Sequence, residues 1–282
     1  MLLLIGIGLL SGVFIGRQII KNNAIKNNST NKLAPIYTNN SNTILRIKPL
    51  LYIKNTLDSV PYSLYKRIHS LTGMIFIGGF VVAHFINNSL AYNPKELNNL
   101  SKSIHKNPLF PIIEIFGIYL PLVSHIVIGL ILLSRGKIDT RIKTETNYRY
   151  ILQRISAYII LKTLIFHLVT IRFNEYLPDW FRKKFNIPSK RDYTYQKVNV
   201  WFSGPLAPIG YLMYISFIYS ISYHLSNGIW TSAITWGLAK TYEQQAKLRK
   251  LSNIVFIALA TWGKIILYLY SKPYSNHEEQ DR

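Results

Sequence analysis

The chain has 282 residues, of which 49% are hydrophobic, with a formal net charge of +21 and no cysteine. The lack of cysteine excludes disulfides, iron–sulfur ligation and the covalent attachment of a c-type haem. The basic residues lie in the segments between apolar runs and not in one patch. This distribution favours a membrane topology signal and contact with anionic lipid headgroups over nucleic-acid binding, so we expect no nucleic-acid partner.

The first 60 residues divide into two predicted segments. Residues 1–21 open with an apolar run that has no basic residue before it, and Arg17 and Lys21 follow the run. A cleavable secretory signal has the opposite order, so we expect an N-terminal hydrophobic anchor or an extra span. Residues 22–60 begin with a stretch rich in Asn, Lys, Ser and Thr, which predicts a polar linker. The third predicted segment, residues 61–282, is one five-span domain.

Five apolar runs follow, each long enough to cross the hydrocarbon core of a bilayer, which takes about 20 helical residues. They cover approximately residues 66–90, 111–134, 151–172, 205–238 and 252–271. Only helices and closed barrels satisfy their backbone groups in lipid, and the alternating pattern of barrel strands is missing. The sequence therefore predicts an all-α integral membrane protein with a five-helix transmembrane bundle.

Four of the five runs carry a histidine, namely His84, His125, His167 and His224. Lysine and arginine are denser before the first run, between the second and third and between the fourth and fifth. This bias predicts that the N-terminus of the five-span core lies on the inner side, which is cytoplasm or matrix. His84 and His167 then lie towards the outer ends of their spans, and the other two towards the inner ends. The two levels differ in depth by roughly 8–15 Å.

Two pairs of imidazoles at two depths are the arrangement for two bis-histidine b haems. A zinc site would instead bring three or four ligands to one point. Gly129 and Gly228 each lie four residues after a histidine, and so on the same helix face, where a missing side chain leaves room for a porphyrin. Gly73 and Ser156 lie eleven residues before His84 and His167 and put small residues on the ligand faces.

Four charged residues in or beside the spans are further candidates. Arg67 and Arg154 open the first and third spans, and either pair with haem propionates or extend to lipid headgroups. Lys162 lies inside the third span and needs an acceptor, which is a propionate or a groove lined by carbonyl groups. Glu114 is either a carboxylate stabilised by the helix dipole or a proton acceptor for a quinol. Glu114 is only a weak quinone candidate, and the residues supply no stronger one.

Four stretches within residues 62–271 resemble the di-haem cytochrome b membrane anchor of succinate dehydrogenase and fumarate reductase, respiratory complex II, in its single-polypeptide, five-span form. They read LYKRIHSLTGMIFIGGFVVAHFINN, IEIFGIYLPLVSHIVIGL, YILQRISAYIILKTLIFHLVTIR and YHLSNGIWTSAITWG. The chain departs from this family at Ser156-Ala157, where the family tends to have Thr-Gly. The first 60 residues and the loop at 173–203 are also longer than the family pattern.

The resemblance implies that His84 with His167, and His125 with His224, are the axial ligands of two b haems. It also implies that the anchor holds a flavoprotein and an iron–sulfur subunit on the inner face of a bacterial cytoplasmic or mitochondrial inner membrane. Electrons would pass between the iron–sulfur subunit and a membrane quinone, which is the substrate.

We therefore expect a non-catalytic electron-transfer subunit of succinate:quinone oxidoreductase, with no catalytic residue in this chain. Two alternatives stay open. One is a di-haem cytochrome b anchor of another quinone-linked dehydrogenase, and the other is a haem-free membrane transporter or assembly protein.

Overall fold

The computed structural model describes Leu57, residues 59–188 and residues 194–272, and every regular element within these ranges is helical. The predicted N-terminal anchor and nearly all of the predicted linker lie outside the described residues. Eight helices are described: α1 Tyr62–Tyr92, α2 Pro94–Lys106, α3 Phe110–Arg135, α4 Glu145–Arg172, α5 Asp179–Lys184, α6 Thr194–Asn199, α7 Gly204–Thr235 and α8 Tyr242–Tyr270.

Five of these helices, α1, α3, α4, α7 and α8, are long and apolar enough to cross a membrane. In the most apolar stretch of each, only 11% to 33% of the residues are buried. The remaining residues of these spans include large apolar side chains that are exposed, as at Ile75, Phe116, Leu212 and Ile254. Such a surface is stable in lipid and not in water. The prediction of an all-helical integral membrane protein with five spans is confirmed.

Two spans begin much earlier than the apolar runs indicated, α4 at Glu145 and α8 at Tyr242, because their first turns are polar and well capped. Thr144 caps α4 by accepting from the backbone N–H of Asn147 at 3.3 Å. Thr241 and Gln244 form a capping box at the start of α8. Each cap satisfies backbone N–H groups that the first helical turn leaves without a partner. Polar first turns therefore extend α4 and α8 beyond the predicted starts at 151 and 252.

Three of the spans contain π-helical turns. They cover Thr72–Ile77 in α1, Ile113–Tyr119 in α3 and Leu168–Arg172 at the end of α4. A π-turn closes hydrogen bonds from residue i to residue i+5, as between the Phe173 N–H and the Leu168 carbonyl at 2.8 Å. Each turn thereby changes the direction in which the residues after it point.

The described residues form two compact units. The larger contains Ser70–Leu122 and the residues from Lys137 onward. In it, α7 packs along both α4 and α8. The approach of α7 to α8 is close at Gly263, where an added Cβ would lie 2.6 Å from Cγ2 of Ile218. Because glycine has no Cβ, Gly263 leaves room for the Ile218 side chain and lets α7 and α8 pack closely.

One end of the larger unit is covered by a cap made of α2, α6 and the turns around them. Tyr195 is 2% exposed, and its hydroxyl donates to the carbonyls of Leu269 at 3.1 Å and Lys272 at 3.3 Å. Asn98 of α2 accepts from the Tyr195 N–H at 3.0 Å. The two bonds of the Tyr195 hydroxyl satisfy carbonyl groups at the C-terminal end of α8 and just after it. The apolar core beneath the cap consists of Ala91, Leu97, Tyr195, Val198, Phe202, Ile266, Leu267 and Tyr270.

The smaller unit contains the residues up to His69 and Val123–Gly136. Arg135 at the end of α3 donates to the carbonyls of Leu57 and Val60, and its guanidinium lies 4.8 Å from the ring centre of Tyr65. The Tyr65 hydroxyl donates to the Leu57 carbonyl at 3.1 Å. A cation near a helix C-terminus is favourable for the helix dipole. Arg135 thus connects the end of α3 to the chain that leads into α1.

Candidate haem-binding histidines

His84 of α1 and His167 of α4 lie together in the larger unit. Their ring centres are 5.9 Å apart and the ring planes are perpendicular. Two imidazoles on opposite sides of one metal ion need ligating nitrogens about 4 Å apart, twice a metal–imidazole bond of about 2 Å. Their ring centres are then somewhat farther apart than their nitrogens. The observed separation therefore fits a pair of axial ligands.

The surroundings of this pair are aromatic. Tyr214 of α7 places its hydroxyl 3.3 Å from Nδ1 of His167, and the ring of Phe217 lies 5.8 Å from the same imidazole. The ring of Phe80 lies 5.3 Å from that of His84. A hydrogen bond from Nδ1 of His167 to the Tyr214 hydroxyl leaves Nε2 with its lone pair. That tautomer is the one that can bind iron through Nε2.

His224 of α7 is oriented by the start of α4, also within the larger unit. Its Nδ1 lies 3.3 Å from the Gln153 carbonyl oxygen and 3.3 Å from the Ser156 hydroxyl. A carbonyl can only accept, so the hydrogen resides on Nδ1 and Nε2 keeps its lone pair. Ser156, predicted only as a small residue on a ligand face, is therefore also a hydrogen-bond partner of a predicted ligand.

His125 lies in the smaller unit, where it stacks on His69 with ring centres 3.8 Å apart and planes 12° apart. The bonds between them are reciprocal. Nδ1 of His125 donates to the His69 carbonyl at 3.0 Å, and Nδ1 of His69 donates to the His125 carbonyl at 3.1 Å. Both rings therefore carry hydrogen on Nδ1. An added Cβ at Gly129 would lie 3.0 Å from the His69 ring, so His69 covers the face that the sequence predicted to be open.

A polar network beside His224 was not predicted as a site. Arg149, 8% exposed, donates to the side-chain oxygens of Glu145 at 3.1 Å, Asn227 at 3.2 Å and Asn253. Asn227 donates in turn to Oε1 of Gln153 at 2.9 Å. The sequence contains one signal of this network, the polar residue Asn227 three positions after His224 in an uncharged run, but no sign of its partners on α4.

The other predicted contacts differ in their surroundings. Arg154 has a buried Nε without a hydrogen-bond partner among the described residues, and its guanidinium lies 3.6 Å from the ring centre of Tyr150. A buried donor of this kind costs free energy until an acceptor binds it, and a carboxylate is a suitable acceptor. Arg67 and Lys162 are exposed. A propionate contact is therefore supported most directly at Arg154.

Glu114 forms a two-point ion pair with Arg172. Nε of Arg172 donates to Oε1 at 2.8 Å and Nη2 donates to Oε2 at 3.0 Å. The Tyr119 hydroxyl donates to Oε1 at 2.9 Å. The carboxylate predicted as a weak quinone candidate therefore already accepts three hydrogen bonds within the larger unit.

The chain is similar to the succinate dehydrogenase cytochrome b558 subunit of Bacillus subtilis (strain 168). The two are 28% identical over 210 residues, which is 73% of this chain and 96% of that protein. No protein-family model matches the chain, and no solved structure matches it. The relative and the five membrane-spanning helices agree with the resemblance carried by the four histidine-containing stretches. The chain is therefore a homologue of this succinate dehydrogenase cytochrome b558 subunit.

Proposed function

We propose that this chain is the membrane anchor and electron-transfer subunit of a succinate:quinone oxidoreductase, complex II. The observation that carries the proposal is the perpendicular pair His84 and His167, whose ring centres are 5.9 Å apart inside helices that span a membrane. An imidazole in an apolar span is costly without a partner, and a metal supplies one. The similarity to a succinate dehydrogenase cytochrome b558 subunit supports the same assignment.

His84 and His167 would hold one b haem, and His125 and His224 the other. The protein fixes three of these rings through Nδ1, by the Tyr214 hydroxyl, the His69 carbonyl and the Gln153 carbonyl. A bond at Nδ1 orients the ring and raises the basicity of Nε2. When bound, the two haems would carry electrons between an iron–sulfur subunit and a membrane quinone. Chemistry on succinate would take place on the flavoprotein partner and not in this chain.

Arg154 would bind a haem propionate through the buried Nε. Arg67 and Lys162 are exposed, and in this proposal they reach a propionate only by extending along the surface. The quinone site is not assigned to particular residues, and Glu114 remains its weak candidate. The excess of basic residues would contact anionic lipids, with the N-terminal end of the five-span core on the cytoplasmic or matrix side.

The proposal is tested by the haem content of the purified full chain. The measurement is a dithionite-reduced minus oxidised absorbance spectrum with pyridine haemochrome quantitation. We expect two b haems per chain. His84→Ala and His167→Ala should lose the same haem, and His125→Ala and His224→Ala should lose the other.

Controls for this experiment use histidines outside the proposed pairs. His105→Ala, in α2, should keep both haems. A folded, monodisperse and haem-supplied wild-type chain that binds no haem would contradict the proposal and favour the transporter or assembly alternative. Co-purified subunits other than a flavoprotein and an iron–sulfur protein would instead favour the anchor of another quinone-linked dehydrogenase.

A further inference from the structure

The Glu114–Arg172 ion pair joins α3 to α4 within the larger unit, and no part of the proposed haem ligation uses it. Glu114 is 14% exposed and Arg172 26% exposed at the side chain. Two parallel N–H···O bonds, with the added bond from Tyr119, give the pair one defined geometry. An arrangement this specific between two spans indicates more than a pair of charges at a membrane surface.

The environment of the pair is apolar. Ile113, Ile115 and Phe116, next to Glu114 on α3, are 54%, 51% and 62% exposed, as expected of side chains that face lipid. Charges in such surroundings are screened weakly and act over longer distances than in water. Removal of one partner would leave an uncompensated charge there. The intact pair contributes almost no net charge.

The π-helical turn at the end of α4 connects this pair to His167. It begins at Leu168, directly after the histidine, and ends at Arg172. In a regular α-helix, residue i+5 lies about 140° around the axis from residue i. A π-turn brings residue i+5 back nearly above residue i. Arg172 therefore lies one turn from His167 and close to the same helix face.

From these observations we infer that Glu114 and Arg172 are positioning residues for the haem held by His84 and His167. Arg172, held by Glu114, fixes the turn that follows His167, and the neutral pair keeps net charge away from that haem. This inference rests on the proposed haem ligation. A positive charge near a haem favours its reduced form, and a negative charge favours its oxidised form. The two partners therefore have opposite electrostatic effects when each is removed alone.

The test is a redox titration of the full chain in detergent or nanodiscs, with the haem of His84 and His167 identified by its loss in His167→Ala. Glu114→Gln should raise the midpoint potential of this haem and Arg172→Gln should lower it. The double variant Glu114→Gln/Arg172→Gln should return close to wild type. The midpoint potential of the other haem should shift less in all three variants. Glu96→Gln, which makes the same change at an exposed position of α2, is the matched control and should leave both potentials unchanged.

If the pair has only a structural role, both single variants should shift the midpoint potential in the same direction, or should only lower the haem content. Either result would overturn the inference. Unchanged potentials in chains that keep both haems would also overturn it, while leaving the proposed function intact. A wild-type chain without haem would overturn both. Glu114→Asp keeps the charge with a shorter side chain and provides a folded variant if Glu114→Gln is unstable. It should retain the wild-type potential more closely than any neutral substitution that folds.

Discussion

Asn227 of α7 donates from Nδ2 to Oε1 of Gln153 on α4 at 2.9 Å, and the same Gln153 donates from Nε2 to the His224 carbonyl at 3.1 Å. The Gln153 backbone carbonyl also lies 3.3 Å from Nδ1 of His224. One glutamine therefore connects both the backbone and the ring of His224 to α4. Asn227 holds the side chain of that glutamine, and Asn227 is itself 1% exposed.

Asn227→Ala should destabilise the protein by about 1–3 kcal/mol, because Oε1 of Gln153 and Nη1 of Arg149 each lose the hydrogen bond to Asn227. Thermal unfolding of the purified chain, followed by loss of monodispersity, measures the effect. Asn99→Ala, at an exposed position of α2, is the control and should change the stability by less than about 0.5 kcal/mol. Equal melting temperatures for the two variants would show that the Asn227 bonds contribute nothing to stability.

Gly263→Ala should force α8 away from α7, since the added Cβ would lie 2.6 Å from Cγ2 of Ile218. Overpacking of this kind typically costs about 1–3 kcal/mol. The control is Gly79→Ala in α1, where an added Cβ meets no atom within 4 Å among the described residues. This control should be neutral or slightly stabilising, because alanine favours helix over glycine.

The double variant Gly263→Ala/Ile218→Ala tests the cause of the Gly263 effect. If the clash with Ile218 is responsible, the loss measured for the double variant should be smaller than the sum of the two single losses. Strictly additive losses of stability would mean that Gly263→Ala acts through a contact other than the one with Ile218.

The helical fold and the five spans could be predicted from the sequence because lipid demands long, nearly uncharged helical runs. The hydrogen-bond partners of Arg149, Glu114 and Tyr195 could not be predicted. Each bonds to a partner at least 58 positions away: Arg149 to Asn227, Glu114 to Arg172 and Tyr195 to Leu269. Apolar periodicity contains no information about which polar residue faces which.

The π-turns and the cap made of α2 and α6 could not be predicted from the sequence either. A π-turn depends on the packing of neighbouring helices and has no strong local composition signal. The sequence marked the loop at 173–203 only as longer than the family pattern, and the structure places Tyr195 and Phe202 of this loop in an apolar core. A short segment without periodicity can still bury aromatic side chains when two other helices supply the opposite surface.

His69→Ala should keep both haems, whereas His125→Ala should lose one. The two rings are stacked 3.8 Å apart and both carry hydrogen on Nδ1, so each keeps the Nε2 lone pair that can ligate iron, and the two variants identify which of them does. The measurement is the pyridine haemochrome content of each variant, at equal monodispersity. Loss of a haem in His69→Ala with retention in His125→Ala would reverse the assignment of the ligand.

Arg154→Leu should weaken the retention of one haem more than Lys162→Leu does. A charge-assisted hydrogen bond contributes about 1.5–3 kcal/mol, which corresponds to a loss of affinity of roughly 10- to 100-fold. Arg154 has the buried donor that a propionate would satisfy, and Lys162 is exposed on the same helix and so provides a matched change of charge. The rate of haem transfer to apomyoglobin measures retention. Equal rates of haem transfer from the two variants would mean that Arg154 lies beside no propionate. The buried Nε of Arg154 would then donate to a water molecule or to a backbone carbonyl within the membrane-spanning part.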